Sequence, residues 1–284
     1  MIAENGAALS WTAQRIAEAN FEDHHPDGHQ TWKTVTIHHF PTGVEIFVNE
    51  ARDTWSDGAN FESSERTKRG QGDHERSKIA STRRAKTQVR RRCKMLQADC
   101  MMTLTYRANV TDESRVQADF KAFRKRLAKF GQFHYVATLE TQKRGSLHVH
   151  IACQQFPAWL QNEHGVRVKS YALISSMCSR VVGRGNGNVN FTKPRGRNSS
   201  HRIASYIAKY VGKALSENTF NAKSYWQSVG LPKPRVETMW YSVETETSEI
   251  VASVARWWFS QGYSDYTQFH DRLNKFYWFA ASLP

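Results

Sequence analysis

From residue 99 to 216 the chain alternates between two hydrophobic rhythms. Met102-Thr103-Leu104-Thr105-Tyr106 alternates with period two, as a half-buried strand does. A helix follows. Thr111 or Asp112 is suited to cap it, because a short side-chain oxygen can accept from the first free amides. Val116, Phe120, Phe123, Leu127 and Phe130 form its buried stripe, and Gly131 ends it. Phe133 to Glu140 and Ser146 to Cys153 alternate again, joined by Gln142-Lys143-Arg144-Gly145, which predicts an antiparallel hairpin. A helix over about Ser170 to Val182 and a strand near Asn188 to Thr192 lead to a last helix, His201 to Leu215. Its stripe is Ile203, Ile207, Val211 and Leu215. The order β-α-β-β-α-β-α predicts an α+β fold, a central antiparallel sheet with helices packed on its apolar face.

The flanks read less clearly. In residues 1–74, Thr34 to Glu50 alternates well enough for a hairpin turning at Pro41-Thr42-Gly43, and Arg52 to Asp73 reads as a loop. Residues 75–98 lack proline and glycine and predict a basic helix with a thin apolar face of Ile79, Val89, Met95 and Leu96. Residues 217–284 are rich in aromatics and predict a helical extension, with helices over Ser248 to Gly262 and Tyr266 to Ala281. The organisation expected is therefore an N-terminal extension, a basic helix, a core over 99–216 and a C-terminal extension.

The second hairpin strand reads Leu147-His148-Val149-His150-Ile151. Strand side chains alternate faces, so His148 and His150 share one side and Leu147, Val149 and Ile151 the other. With the turn centred near Arg144, Glu140 falls opposite His148 and Thr138 opposite His150. Glu140, His148 and His150 then converge. Two imidazoles and one carboxylate with open positions suit Mg²⁺ or Mn²⁺ acting as a Lewis acid, and they are also compatible with zinc or iron. A register slip of one residue would turn Glu140 away.

The last helix carries two overlapping copies of Y-x-x-K, Tyr206 with Lys209 and Tyr210 with Lys213. Tyrosines at i and i+4 can reach one site. A nearby lysine favours phenolate and stabilises charge on a phosphate. Taken alone, such tyrosines are more often packing residues.

Composition adds a partner. Forty Lys plus Arg against 26 Asp plus Glu give +14, which favours a polyanion, of which nucleic acid is the commonest. Arg83, Arg84, Lys86, Arg90, Arg91 and Arg92 concentrate that charge on the basic helix as candidate phosphate contacts, joined by Lys143 and Arg144 at the hairpin turn. Nine tryptophans and ten tyrosines supply flat faces for unpaired bases. Cys93, Cys100, Cys153 and Cys178 form no C-x-x-C pair, so reduced thiols in a cytoplasm are expected. No signal peptide is expected in Met1 to Asn20, and no apolar run is long enough to span a membrane.

Over about residues 75 to 235 the chain resembles the HUH-endonuclease replication initiators of rolling-circle phages and plasmids. Three pieces in the family's order carry the resemblance: the threonine strand Met102 to Arg107, the histidine strand with upstream Glu140, and the helix with Tyr206, Lys209, Tyr210 and Lys213. Tyr225 to Pro232 is similar to a segment that follows the tyrosine helix in such proteins. Each motif is weak singly; the three in order are specific. The resemblance implies the two-tyrosine type, cutting one strand of DNA at a replication origin through a 5′-phosphotyrosine and then rejoining it. Glu140, His148 and His150 would hold Mg²⁺ or Mn²⁺, Tyr206 and Tyr210 would attack, and Lys209 and Lys213 would stabilise charge. Relaxases place the tyrosine before the histidines; here it follows. No G-x-x-x-x-G-K-[ST] loop is present, so a separate host helicase, with a polymerase, is expected. The setting implied is the cytoplasm of a bacterial or archaeal host. A single-strand DNA transposase of the HUH type shares the chemistry. A non-catalytic basic nucleic-acid-binding protein shares the charge. A zinc-dependent hydrolase would leave the tyrosine helix unexplained.

Overall fold

A computed structural model describes residues 29–55, 74–194, 199–217, 225–263, 265–271 and 276–282. Along the chain these form β1 (His29–Phe40), β2 (Gly43–Trp55), α1 (His74–Leu96), β3 (Cys100–Tyr106), α2 (Glu113–Leu127), β4 (Tyr135–Thr141) and β5 (Leu147–Cys153). Then come β6 (Trp159–Gln161), β7 (Arg167–Lys169), α3 (Ser170–Val182), β8 (Gly187–Thr192), α4 (Ser199–Glu217) and β9 (Tyr225–Gln227). Last are β10 (Arg235–Ser242), α5 (Thr247–Ser260), β11 (Asp265–Asp271) and β12 (Phe276–Ser282). The chain divides into two compact units, residues 69–233 and residues 1–68 with 234–284.

The 69–233 unit is an α+β fold around an antiparallel sheet ordered β8-β3-β5-β4-β9, with the histidine strand β5 at its centre. The β-α-β-β-α-β-α order holds, with a small hairpin, β6–β7, added before α3. Asp112 caps α2, its carboxylate accepting from the amides of Ser114 and Arg115. Val116, Phe120, Phe123 and Leu127 are the buried stripe of that helix. They pack with Ile174, Met177 and Cys178 of α3 against Tyr135, Ala137, Leu147, Val149 and Ile151 of the sheet. Each large side chain so buried contributes about 1.5–3 kcal/mol.

The opposite sheet face, expected to be polar, is covered as well. Ile203, Ala204, Ile207 and Val211 of α4 and Val89, Cys93 and Leu96 of α1 pack on Met101, Val136 and Ala152. Helices therefore lie on both faces, not on the apolar face alone. The physical reason is that the histidine face is polar only at one end of its strands, so its apolar end must still be buried. The basic helix forms as expected, but its apolar stripe differs: Ile79 is exposed, while Cys93 completes a stripe with Val89 and Leu96.

In the other unit the hairpin expected at Pro41-Thr42-Gly43 forms from β1 and β2. The helix expected over 248–262 forms as α5. The helix expected over Tyr266 to Ala281 does not. That stretch is the antiparallel pair β11–β12, and β12 pairs with β2 in a sheet ordered β10-β1-β2-β12-β11. The N- and C-terminal stretches are thus not two separate extensions, and the C-terminal one is not chiefly helical. Ile250, Val254 and Trp258 of α5 cover one sheet face, against Val35, Ile37, Ile46, Met239 and Phe279. Met1 to Asn20, and the part of the expected loop beyond Trp55, lie outside the described residues.

Candidate functional site

The site is built from β3, the β4–β5 hairpin and α4 of the 69–233 unit. The turn at Gln142–Gly145 closes when the amide of Gly145 donates to the carbonyl of Gln142 and that of Gln142 donates to Ser146. Gly145 takes a left-handed φ of 84°, open to glycine without strain. This turn sets the expected register: Glu140 pairs with His148, Thr138 with His150. On the other flank of β5, β3 places Thr103 directly opposite His150.

His148 and His150 are both buried. The Nε2 of His150 lies 2.6 Å from the Oε2 of Glu140, and its Nδ1 lies 3.1 Å from the Thr103 hydroxyl. The Nδ1 of His148 lies 3.2 Å from the side-chain amide nitrogen of Gln142. The Nε2 of His148 is buried without a hydrogen-bond partner. Burial pushes the His148 imidazole below its ordinary range; the charges of His150 and Arg144 add to this, and the Glu140 carboxylate opposes it. His148 is therefore held neutral, the form in which an imidazole offers a lone pair.

Helix α4 lays its tyrosines against His150. Buried Ile203, Ile207 and Val211 fix which face of the helix meets the sheet, and Tyr206 and Tyr210 stand at its border. The Tyr210 ring stacks on His150, centroids 4.6 Å apart, and Tyr206 meets His150 edge-on at 5.9 Å. The Tyr210 hydroxyl donates to the Tyr206 hydroxyl at 2.8 Å. Burial, that donated bond and the negative charge of Glu140 together hold the Tyr210 phenol well above its ordinary range. Tyr206 is 43% exposed. Both phenols, the His150 imidazole and the Glu140 carboxylate therefore form one contiguous group, with His148 two residues along the same strand.

The remaining expected residues are placed as follows. Lys209 is exposed on α4, and the side chain of Lys213 lies outside the described residues. Lys143 and Arg144 are exposed at the turn, where the Arg144 charge acts on His148. Arg83, Arg84 and Lys86 are exposed on α1, while Arg90, Arg91 and Arg92 are half-buried. The Arg92 guanidinium donates to the carbonyls of Leu231 and Pro232, tying α1 to the segment after β9. Thr103 and Gln142 had no assigned role in the sequence. Thr103 was legible in principle, since strand alternation puts it on the histidine face. Gln142 acts from a turn, where no periodicity guides the reading.

The donor set suits a divalent ion in its chemistry. The buried Nε2 of His148 has no hydrogen-bond partner and Glu140 offers an anionic oxygen, the donor types such an ion takes. Rotating the Gln142 amide lets its oxygen accept from Nδ1–H and leaves Nε2 as a bare lone pair. The set is not a preformed cage. Among the described residues no three His, Cys, Asp or Glu side chains stand gathered around a single point, because Glu140 closes directly onto His150. The Thr103 hydroxyl both donates and accepts, so it can hold His150 in either tautomer.

Residues 99–215 match the family model of the replication-associated protein ORF2. The matched stretch is less than half of the chain, and it runs from the threonine strand through both tyrosines. The match supports a replication-initiator family, and with it a role in DNA replication and DNA as the partner. No curated protein and no solved structure matches the chain. Among the described residues no helix is long and apolar enough to cross a membrane.

Proposed function

We propose that this protein initiates rolling-circle replication by cutting one DNA strand and keeping its 5′ end on a tyrosine. The observation that carries the reading is the contact between the two tyrosines and His150, itself bonded to Glu140. A nucleophile pair packed on a metal-ligand histidine has no evident use in a protein that only binds.

Glu140, His148 and His150 would hold Mg²⁺ or Mn²⁺, which when bound polarises the scissile phosphate as a Lewis acid. Thr103 and Gln142 orient the two imidazoles through their second ring nitrogens. Tyr206 makes the first attack. It is the more exposed phenol, and its oxygen accepts the hydrogen bond that Tyr210 donates. Its oxygen forms a bond to phosphorus as the phenolic proton passes to water, and the bond from phosphorus to the 3′ oxygen breaks, that oxygen taking up a proton from water to become the 3′-hydroxyl. The products are a 5′-phosphotyrosine and a 3′-hydroxyl that a polymerase can extend. Tyr210, kept protonated beside His150, serves the second cleavage. The 3′-hydroxyl released then displaces the first tyrosine and closes a circle, with one phosphodiester made for each one broken. Lys209 and Lys213 stabilise charge near the phosphate. Arg83, Arg84, Lys86, Lys143 and Arg144, which are exposed, hold the strand.

The test is covalent capture on end-labelled single strands from the DNA around the protein's own gene, with Mn²⁺ or EDTA. A Mn²⁺-dependent adduct to the 3′-side fragment, much reduced in Tyr206→Phe and absent in the double Tyr206→Phe, Tyr210→Phe variant, is the expected result. Binding without any adduct would make this a non-catalytic nucleic-acid-binding protein.

A further inference from the structure

The 69–233 unit has a second place where a nucleic-acid strand fits, on the helical layer away from the histidines. Between the β6–β7 hairpin, the end of α2 and the outer side of α3 lies an open cavity of about 820 Å³. Leu173 and Met177 of α3 form part of its lining, and Met177 belongs to the core on the sheet face opposite the tyrosines. Arg126, Lys129 and Arg180 line it with positive charge. One carboxylate, Glu163, also lines it, and it is paired with Arg180 at 3.1 Å.

The hairpin presents Trp159, 43% exposed, at the wall of this cavity. Across the hairpin Trp159 pairs with Lys169 and Gln161 with Arg167. The Arg167 guanidinium stands 5.1 Å from the centre of the indole, and the Lys169 ammonium 6.0 Å. Val166 and Tyr171, both more than half exposed, lie on the same hairpin and on the first turn of α3. A solvent-facing indole beside two cations is not explained by packing. A three-residue strand pair does not need it for stability, and exposure of a large ring costs rather than contributes.

The geometry points to a second binding site for single-stranded DNA, in which an unpaired base stacks on Trp159 while Arg126, Lys129, Arg167 and Lys169 take the flanking phosphates. Flat aromatic surface flanked by cations is what a strand without base pairing offers contacts to. A cavity of this volume is in the range of small-ligand sites, about 300–1,000 Å³, enough for a nucleotide or two. The inference rests on DNA being the partner of this protein. The site lies on the other side of the sheet from the tyrosines, so it would hold strand beyond the segment being cut.

The test uses the full chain and a 5′-fluorescein-labelled strand of thirty thymidines, by anisotropy, in EDTA. Trp159→Ala is charge-neutral, so its effect reports stacking and not the general field. It is expected to weaken binding about tenfold, the loss of one stacked base. Arg126→Glu with Lys129→Glu, both exposed, is expected to weaken it further and to flatten its salt dependence. Circular dichroism confirms that the variants fold. Unchanged affinity in Trp159→Ala overturns the proposal, as does equal competition by thymidine monophosphate, which would make this a nucleotide pocket. The adduct assay separates the two readings. Trp159-dependent binding without any adduct leaves this site standing and removes the nicking reading, and an adduct with Trp159-independent binding does the reverse.

Discussion

His150 is the residue on which the site turns. It touches Glu140, Thr103, Tyr206 and Tyr210 at once, neighbours drawn from β4, β3 and α4. Thr103→Val keeps the shape and removes the hydroxyl that fixes Nδ1. It is expected to raise the Mn²⁺ concentration needed for half-maximal adduct formation about 10- to 100-fold, as removing such a partner commonly does. Thr105→Val, two residues along the same strand, should leave the Mn²⁺ titration unmoved, since Thr105 bonds to the Asn188 carbonyl instead. A Thr103→Val titration indistinguishable from the parent's would remove the positioning role. Strand period makes the shared face of His148 and His150 readable, and the position of the turn adds Glu140 to it. The hydrogen bonds to Thr103 and Gln142 depend on pairing with another strand and on a turn geometry. Neither is encoded in the spacing of the histidines.

At the scale of elements, helix α1 shows how composition can mislead. Its charge suggests a free arm, yet Val89, Cys93 and Leu96 dock its second half against α4 and the sheet. Cys93 behaves there as a small apolar residue, which charge counting overlooks. Only Arg83, Arg84 and Lys86 are left fully exposed among the six basic residues expected to bind DNA there. Replacing those three by alanine is expected to lower the salt slope of single-strand binding by about 2, near 0.7 for each phosphate no longer neutralised, with stability unchanged. A slope that stays constant would show that the strand runs elsewhere. Ile207→Ala, by contrast, should cost about 2–5 kcal/mol in denaturant unfolding, because Ile207 is fully buried between α4 and the sheet. β12 resisted reading for a different reason. Phe276-Tyr277-Trp278-Phe279-Ala280-Ala281 is apolar throughout, and a continuous apolar run fits a strand and a buried helix equally. Its partner β2 lies more than two hundred residues earlier, beyond any local signal. Apart from the three-residue strands β6 and β7, too short to show a period, the core of 99–215 was legible because its strands alternate and its helices are capped or striped within a short window.

At the scale of the molecule, the division into units carries its own expectation. Residues 69–233 enclose the two apolar clusters on either side of the histidine-bearing sheet. Expressed alone, this stretch is expected to unfold cooperatively and to form the tyrosine adduct; a chain that is unfolded in isolation would contradict the division. All four cysteines are free and buried, and burial pushes the thiols of Cys93 and Cys178 upward, the latter to about 11. Native protein should therefore react with a thiol-specific aromatic disulfide far more slowly than protein in denaturant. The most direct measurement of the central claim is covalent capture on strands tiled across the DNA around the gene. The account predicts a Mn²⁺-dependent bond between Tyr206 or Tyr210 and the 5′ phosphate of the 3′-side fragment, identified by mass spectrometry and abolished by Tyr206→Phe with Tyr210→Phe. An adduct that survives in the double variant, or tight binding with no adduct on any strand, would contradict it.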